Sequence, residues 1–410
     1  MGISYWQSET DNEASTDWVE SLSTSPSFVF DEKRLAENLA LLSRIRLASG
    51  CHMLYSIKAC PFKGLLEQIR NHVDGFSVSS LFEARLAHEV TGGMGAMHIT
   101  TPGFRQDELA EIGDLCDAVS FNSLSQLERL PFHLAGRAKI GLRINPQRSF
   151  LDDPRYDPCR AHSKLGAPLS EVVKHWREGT LPASGISGLH LHTNFCSSSF
   201  APLQSTVAHL QEQLPELVRQ IEWINLGGGY QFQVAQDLEI LLSTIAHIQS
   251  EWQAEVYMEP GTSVVDDAGV LVSTVIDTFE SEGKSIAVLD TSVNHLPEVF
   301  EYQVKPKLRG EKSEGAYSVI LAGCTCLSGD LFGEYQFDRP LRINDRLIFE
   351  NVGAYSLIKA SRFNGLNLPS IHFLDDNNQL RLMKTYDYAD YHQQWSGMDV
   401  VQQTSKTSAG

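Results

Sequence analysis

Eight short apolar runs, each built for a strand and most followed by an amphipathic stretch, constrain the fold of this chain more than any other feature. They lie near residues 53–57, 75–78, 97–101, 118–121, 139–145, 187–193, 222–226 and 255–259. The intervening segments, such as Gln106 to Leu115, Leu203 to Arg219 and Ala235 to Gln249, carry helical spacing of their apolar residues. Strands joined through helices return to the same end of a sheet and so run parallel. Eight such units predict a closed (β/α)8 barrel, with one extra helix, Arg34 to Ala48, before its first strand.

After Gly261 the pattern turns β-rich. Val264 to Phe279, Ser285 to Leu289, Tyr317 to Ala322, Leu341 to Glu350 and Ser370 to Leu374 read as strands separated by turn residues. Ser27 to Phe30 is also strand-like and would make a ninth barrel strand, so it is assigned to this second unit. The predicted organisation is a barrel over 34–262 and a β-barrel-like domain from 25–33 plus 263–393. The polar ends, 1–24 and 394–410, are expected to be disordered.

A hydrophobic content of 42% and a charged content of 20% are enough for two cores in 410 residues. The formal charge of -18 disfavours nucleic acid and anionic membrane and tolerates a cationic substrate. No apolar run is long enough to span a bilayer, and Ser8, Glu9, Asp11, Glu13 and Asp17 give the N-terminus the wrong charge for a secretion signal, so a cytoplasmic location is expected. Seven cysteines without a CxxC pair suggest neither a disulfide framework nor a metal site.

Strand ends converge at one mouth of a parallel barrel, and Lys58, Arg143, His192, Gly227 and Glu259 all fall at or just past predicted strand ends. An amine there can condense with an aldehyde. Three glycines after a strand, Gly227 to Gly229, let backbone amides close on a phosphate, and a carboxylate at another strand end can keep a ring nitrogen protonated. Those are the needs of pyridoxal phosphate. Each residue also has a plain structural reading: Lys58 as a snorkelling lysine, His192 as a hydrogen-bonded core histidine, the glycines as a flexible turn, and Cys326 as a small buried hydrophobe.

Read together, YSIKA at 55–59, VDGFSVSSLFE at 73–83, YDPC with SKLG at 156–166, HLHT at 190–193, LGGG at 226–229, EPG at 259–261, CLSGD at 326–330 and FENVGAY at 349–355 form a recognisable set. The chain from about 26 to 392 resembles the alanine racemase-fold pyridoxal phosphate decarboxylases, and within them the carboxynorspermidine/carboxyspermidine branch. The resemblance implies that Lys58 carries the cofactor covalently, His192 stacks on its ring and Glu259 pairs with the ring nitrogen. It implies that Gly228, Gly229, Gly261 and Tyr355 hold the phosphate and that Arg143 approaches the ring hydroxyl. Cys326 would be the acid that reprotonates the product, Asp330 would orient substrate, and the site would be shared across a homodimer.

Two departures stand out. That branch usually has a Cys-Glu pair shortly after the His motif, where this chain has Asn194-Phe195-Cys196-Ser197-Ser198, and EPG is followed by Thr262. The favoured activity is decarboxylation of an aminocarboxypropyl amine such as carboxynorspermidine or carboxyspermidine, giving a polyamine. The rivals are the same reaction on another scaffold, as in microcin C-type antibiotic tailoring, and a catalytically inactive regulator like the antizyme inhibitors. A racemase fits less well, because Cys326 and Asp330 lie in a decarboxylase-like motif.

Overall fold

A computed structural model describes residues 17–134, 138–182 and 185–397. Its centre is a closed parallel barrel of eight strands: His52–Ser56, Gly75–Val78, Ala96–Thr100, Ala118–Phe121, Lys139–Asn145, Ile186–His190, Trp223–Asn225 and Glu255–Met258. These are the eight anticipated runs, with ends shifted by a few residues. The ring closes where Tyr257 and Met258 pair with His52 and Met53. All eight neighbouring pairs are parallel, so all eight carboxyl ends open on one face.

Local signals set the helices around it. The helix before the barrel, Glu32–Ser49, starts at Asp31, whose side chain accepts from the Arg34 amide, and stops at Gly50 in a left-handed conformation. Leu81–Thr91 begins at Ser80, whose hydroxyl accepts from the Glu83 amide. Glu83 in turn accepts from the Ser79 amide at 2.6 Å, so one acid satisfies a helix end at the barrel mouth.

The second unit is a mostly antiparallel sheet. Ser27–Asp31 lies at its middle, antiparallel to Gly269–Ser281 and parallel to Ser370–Leu374. The strand that would have overfilled the barrel therefore belongs here. Beyond Gly269–Ser281 the sheet continues through Lys284–Leu289, Tyr317–Ala322 and Leu331–Phe337, while Arg346–Phe349 also pairs with Gly269–Ser281 and Leu380–Lys384 flanks Ser370–Leu374.

Four expectations need correction. The β-branched run from Val264 is not strand at its start: Thr262–Val265 is a helical turn, and the strand begins at Gly269 after Asp266 receives two backbone hydrogen bonds on its carbonyl. Leu341 to Glu350 shortens to Arg346–Phe349, because Asn344 sits at φ 75° and Asp345 accepts from the Arg342 amide in a tight turn. Leu331–Phe337 and Leu380–Lys384 were missed, since their exposed polar faces blur the alternation.

Disorder over residues 17–24 is also corrected. A short turn, Asp17–Ser21, seats Trp18 and Val19 with Leu22 against Val29, Val272, Ile348 and Leu374, and the Arg346 guanidinium caps the Val19 and Leu22 carbonyls. Three apolar residues in a polar stretch suffice to anchor it. Gln394 and Trp395 end a capped helix, Tyr388–Trp395. The rest of the disorder expectation, 1–16 and 398–410, lies outside the described residues.

Candidate active site at the barrel mouth

Lys58 stands in a single helical turn, Ile57–Ala59, at the carboxyl end of the first barrel strand. Water reaches its side chain, yet protein surrounds it on nearly every side, and this enclosure lowers the amine's pKa; Glu259 opposes the shift and Arg143 adds to it. The free amine is the nucleophile toward an aldehyde, and a lowered pKa means it is available at lower pH. Peptide-resolved reductive alkylation with a small aromatic aldehyde should give a midpoint for Lys58 below 10.5, the ordinary lysine value. A midpoint at or above that of surface lysines would contradict the placement.

Glu259 ends the eighth strand and is 5% exposed. Asn225 Nδ2 donates to its Oε1 at 2.9 Å, and His190 Nε2 lies 3.2 Å from its Oε2. Burial works against its charge, but the hydrogen bond from His190 and the nearby Lys58 outweigh burial and hold the carboxyl far below the usual range. The same burial, with Arg143 and Lys58 nearby, lowers His190, so the pair is a carboxylate facing a neutral imidazole that donates through Nε2.

Asn225 is fully buried and saturated. Its second amide hydrogen reaches His98 Nδ1 at 3.4 Å, and its Oδ1 accepts from the Gly227 amide at 2.9 Å. Burial lowers His98 to about 4, so it stays a neutral acceptor. The carboxylate, the asparagine and the first glycine of the triplet are thereby one unit, further closed by the Glu259 amide donating to the Gly227 carbonyl at 2.8 Å.

The triplet has no space for side chains. A Cβ on Gly227 would come within 2.2 Å of the Leu191 carbonyl oxygen, and one on Gly229 within 2.1 Å of that of Asn194, and both sit at positive φ. The Gly228 amide donates to His192 Nδ1 at 3.1 Å, which fixes the plane of that ring. Burial first, then Lys58 and Arg143, keep His192 neutral.

Across the mouth, Gly261 lies against Ser56 and Ala59, and the Tyr355 amide donates to the Ala59 carbonyl at 2.7 Å. Tyr355 adopts φ 62°, a conformation that a bulky residue holds only where surrounding contacts enforce it. Burial raises its phenol, so it remains a donor. Arg143, 8% exposed on the fifth barrel strand, completes the cationic side.

Lys58, Arg143, His192, the glycines, Glu259 and Tyr355 are thus assembled around one mouth. Cys326 and Asp330 sit on a loop of the second sheet, where Cys326 is exposed. Asp330 is 3% exposed, and its carboxylate accepts from the Val293 and Thr325 amides and the Thr325 hydroxyl. His190, Asn225, His98 and Glu83 were not anticipated. For His190 a signal existed, since i, i+2 spacing in a strand puts it on the same face as His192.

The donor set suits a phosphorylated pyridine aldehyde: an amine of lowered pKa, a buried anion for a ring nitrogen, a side-chain-free cradle and a phenol donor. Comparison with known proteins agrees. Residues 52–353 match a family model described as pyridoxal-dependent decarboxylase, C-terminal sheet domain. Carboxyaminopropylagmatine decarboxylase of Synechocystis is 35% identical over 90% of this chain and 94% of its own length. Carboxynorspermidine/carboxyspermidine decarboxylase of Campylobacter jejuni is 31% identical over 90% of this chain and 97% of its own length. Among solved structures, the Campylobacter jejuni carboxynorspermidine decarboxylase complexed with norspermidine superposes with a TM-score of 0.81 at 28% identity, covering 91% of this chain and 100% of that one. Diaminopimelate decarboxylase of Helicobacter pylori complexed with L-lysine shares the fold, with a TM-score of 0.78 at 19% identity, covering 92% of this chain and 98% of that one.

Proposed function

The chain belongs to the pyridoxal-dependent decarboxylases, and from that premise we propose that it removes the carboxylate from an aminocarboxypropyl group borne on a cationic amine, of the carboxynorspermidine or carboxyspermidine kind. The products are the polyamine and carbon dioxide. The relatives' names share this reacting head and differ in the tail. They give no support to the antibiotic-tailoring or inactive-regulator readings.

Pyridoxal 5'-phosphate supplies an electron sink for the pair left behind as carbon dioxide departs. Lys58 would bind the cofactor's aldehyde carbon and yield that place to the substrate's amine. Glu259, kept anionic by its surroundings, would hold a proton on the ring nitrogen, and His192 would pack against the ring. Gly229, Gly261 and Tyr355 would hold the phosphate and Arg143 the ring hydroxyl. Cys326 would return a proton to the α-carbon of the product. Its exposed loop supports a homodimer in which each copy's cysteine serves the other's mouth. Seven unpaired thiols accord with a cytoplasmic setting.

One observation carries the cationic tail. Glu298 is half-buried, and burial pushes its carboxyl up, with Lys359 opposing and Glu301 adding to the shift. Its charge acts on both Tyr156 and Tyr355. Tyr156 packs between Phe195 and Tyr302 with ring centroids 5.1 and 4.5 Å away. Lys359 Nζ lies 3.7 Å from Glu298 and over the Tyr302 and Tyr355 rings, so beside the mouth a half-buried carboxylate and aromatic faces already hold one ammonium group, a chemistry that recognises ammonium and guanidinium groups alike.

Glu298→Gln should raise KM about ten- to a hundredfold for polyamine-type substrates with kcat little changed, the loss expected for one charge-assisted hydrogen bond. An unchanged KM would remove Glu298 from tail recognition. Purified protein incubated with carboxynorspermidine, carboxyspermidine, carboxyaminopropylagmatine, diaminopimelate and ornithine, with amine products read by mass spectrometry, tests the substrate class itself. Preference for diaminopimelate or ornithine would overturn it.

A further inference from the structure

We propose that Asp330 and Asn364 are positioning residues: they anchor the consecutive amides of Thr325 and Cys326 from two different loops and so fix the direction in which Cys326 presents its thiol. The inference rests on the reading of Cys326 as the proton donor and adds how the protein aims it.

Asp330 closes the loop that carries Cys326. Its Oδ1 accepts from the Val293 amide at 2.8 Å, and its Oδ2 accepts from the Thr325 amide at 3.1 Å and from the Thr325 hydroxyl. The main chain reinforces the closure, with the Gly323 amide donating to the Asp330 carbonyl at 2.8 Å and the Asp330 amide to the Leu327 carbonyl at 3.0 Å. The fit is tight: a Cβ on Gly323 would lie 2.2 Å from Asp330 Oδ1. From below, the Cys324 amide donates to the carbonyl of Thr291, whose hydroxyl lies 2.9 Å from Nδ1 of the buried His295.

The second anchor arrives from the turn Phe363–Gly365. Asn364 Oδ1 accepts from the Cys326 amide at 2.7 Å, and Asn364 holds φ 57°, a left-handed conformation that asparagine tolerates better than most residues. Two successive peptide groups are thus pinned by two side chains while the Cys326 side chain itself stays exposed. A freely swinging exposed thiol would deliver its proton to either face or to the wrong carbon. A thiol on a doubly anchored backbone is confined to the few staggered positions about one fixed Cα–Cβ bond. A carboxylate given three donors and almost no exposure has little acceptor capacity left for a substrate ammonium.

The test compares Asp330→Asn and Asn364→Gly with wild type. In Asp330→Asn the amide group must face at least one of the donors the carboxylate accepted. In Asn364→Gly the anchor is lost while the left-handed backbone is retained without strain. For Asp330→Asn we expect kcat to fall about ten- to a hundredfold, the usual cost of misplacing a reacting group by about 1 Å, with KM within about twofold of wild type. Released carbon dioxide should exceed polyamine product, because wrongly protonated turnovers convert the cofactor to its amine form. Alkylation of Cys326 by iodoacetamide in the native holoenzyme, followed by peptide mass spectrometry, should change in rate in both variants. Asn364→Gly should show the same pattern more weakly.

A KM raised about tenfold or more with alkylation rate and product stoichiometry unchanged would assign Asp330 to substrate contact and overturn the proposal. So would wild-type kcat, stoichiometry and labelling in both variants. Should Asp330→Asn fail to fold, Asn364→Gly decides alone by the same readouts. Clean product from Cys326→Ala at the wild-type rate would refute the proton-donor reading instead, and the labelling rates would then judge the anchoring by themselves.

Discussion

Lys58→Ala lowers turnover by about 10⁴-fold or more and abolishes the visible absorbance of bound cofactor, while leaving the fold intact. The residue is the covalent attachment point in this account, so no neighbouring group substitutes for it. The fold survives because the side chain is accessible at the mouth, whereas Ile57 and Ala59 on either side are the buried members of the turn. Absorbance spectroscopy, a decarboxylation assay and a thermal melt of the protein without added cofactor separate these effects. Normal turnover in the variant refutes the assignment, and a large fall in Tm would trace the loss to folding instead of chemistry.

The second large effect is expected at Glu259. Glu259→Gln keeps the shape and an acceptor for His190 but removes the negative charge, and with it the reason for a ring nitrogen to stay protonated. Loss of one preorganised electrostatic partner costs about 10²- to 10³-fold in kcat, and the loss here should appear in kcat more than in KM. The pH dependence follows from the direction of the shift. Glu259 has its carboxyl lowered in the folded protein, so it is ionised across the neutral range and the acid limb of the activity profile arises elsewhere. Its contribution to stability is fully present above the unfolded carboxyl value of 4.5 and is lost only as pH falls from there through the lower folded value. Glu259→Gln should therefore flatten the acid side of the stability curve. A variant with wild-type kcat would show that the ring nitrogen is served by another group.

The barrel was legible because periodicity and length agree there. Each of the eight parallel strands is buried, so its residues form continuous apolar runs that survive in the sequence as blocks. The second sheet was only partly legible. Leu331–Phe337 alternates Phe332, Tyr335 and Phe337 inward against exposed Glu334, and that alternation is interrupted by Gly333. Thr262–Val265 reads as strand by composition and is a turn by context, since Pro260 and Gly261 precede it and Asp266 ties it to Gly269 and Gly353.

Within the site, Lys58, Arg143, His192, Gly227 and Glu259 were visible as charged, polar or glycine interruptions at strand ends. The residues that hold those residues were not. Asn225 occupies an ordinary position before the glycines, and its link to Glu259, His98 and Gly227 exists only once strands 34 and 127 residues apart close into one ring. Asp330 was named through the resemblance alone, and its three donors, all within its own loop or beside it, show only in the folded chain. Short-range sequence signals report what a side chain is, and burial decides whether it faces a ligand or its own loop.

The most direct test of the central claim is borohydride reduction of the purified holoenzyme followed by peptide mapping. The account predicts a single pyridoxyl adduct on the peptide bearing Lys58, in near-stoichiometric yield. An adduct on any other lysine, or none at all in protein supplied with pyridoxal 5'-phosphate, would contradict it.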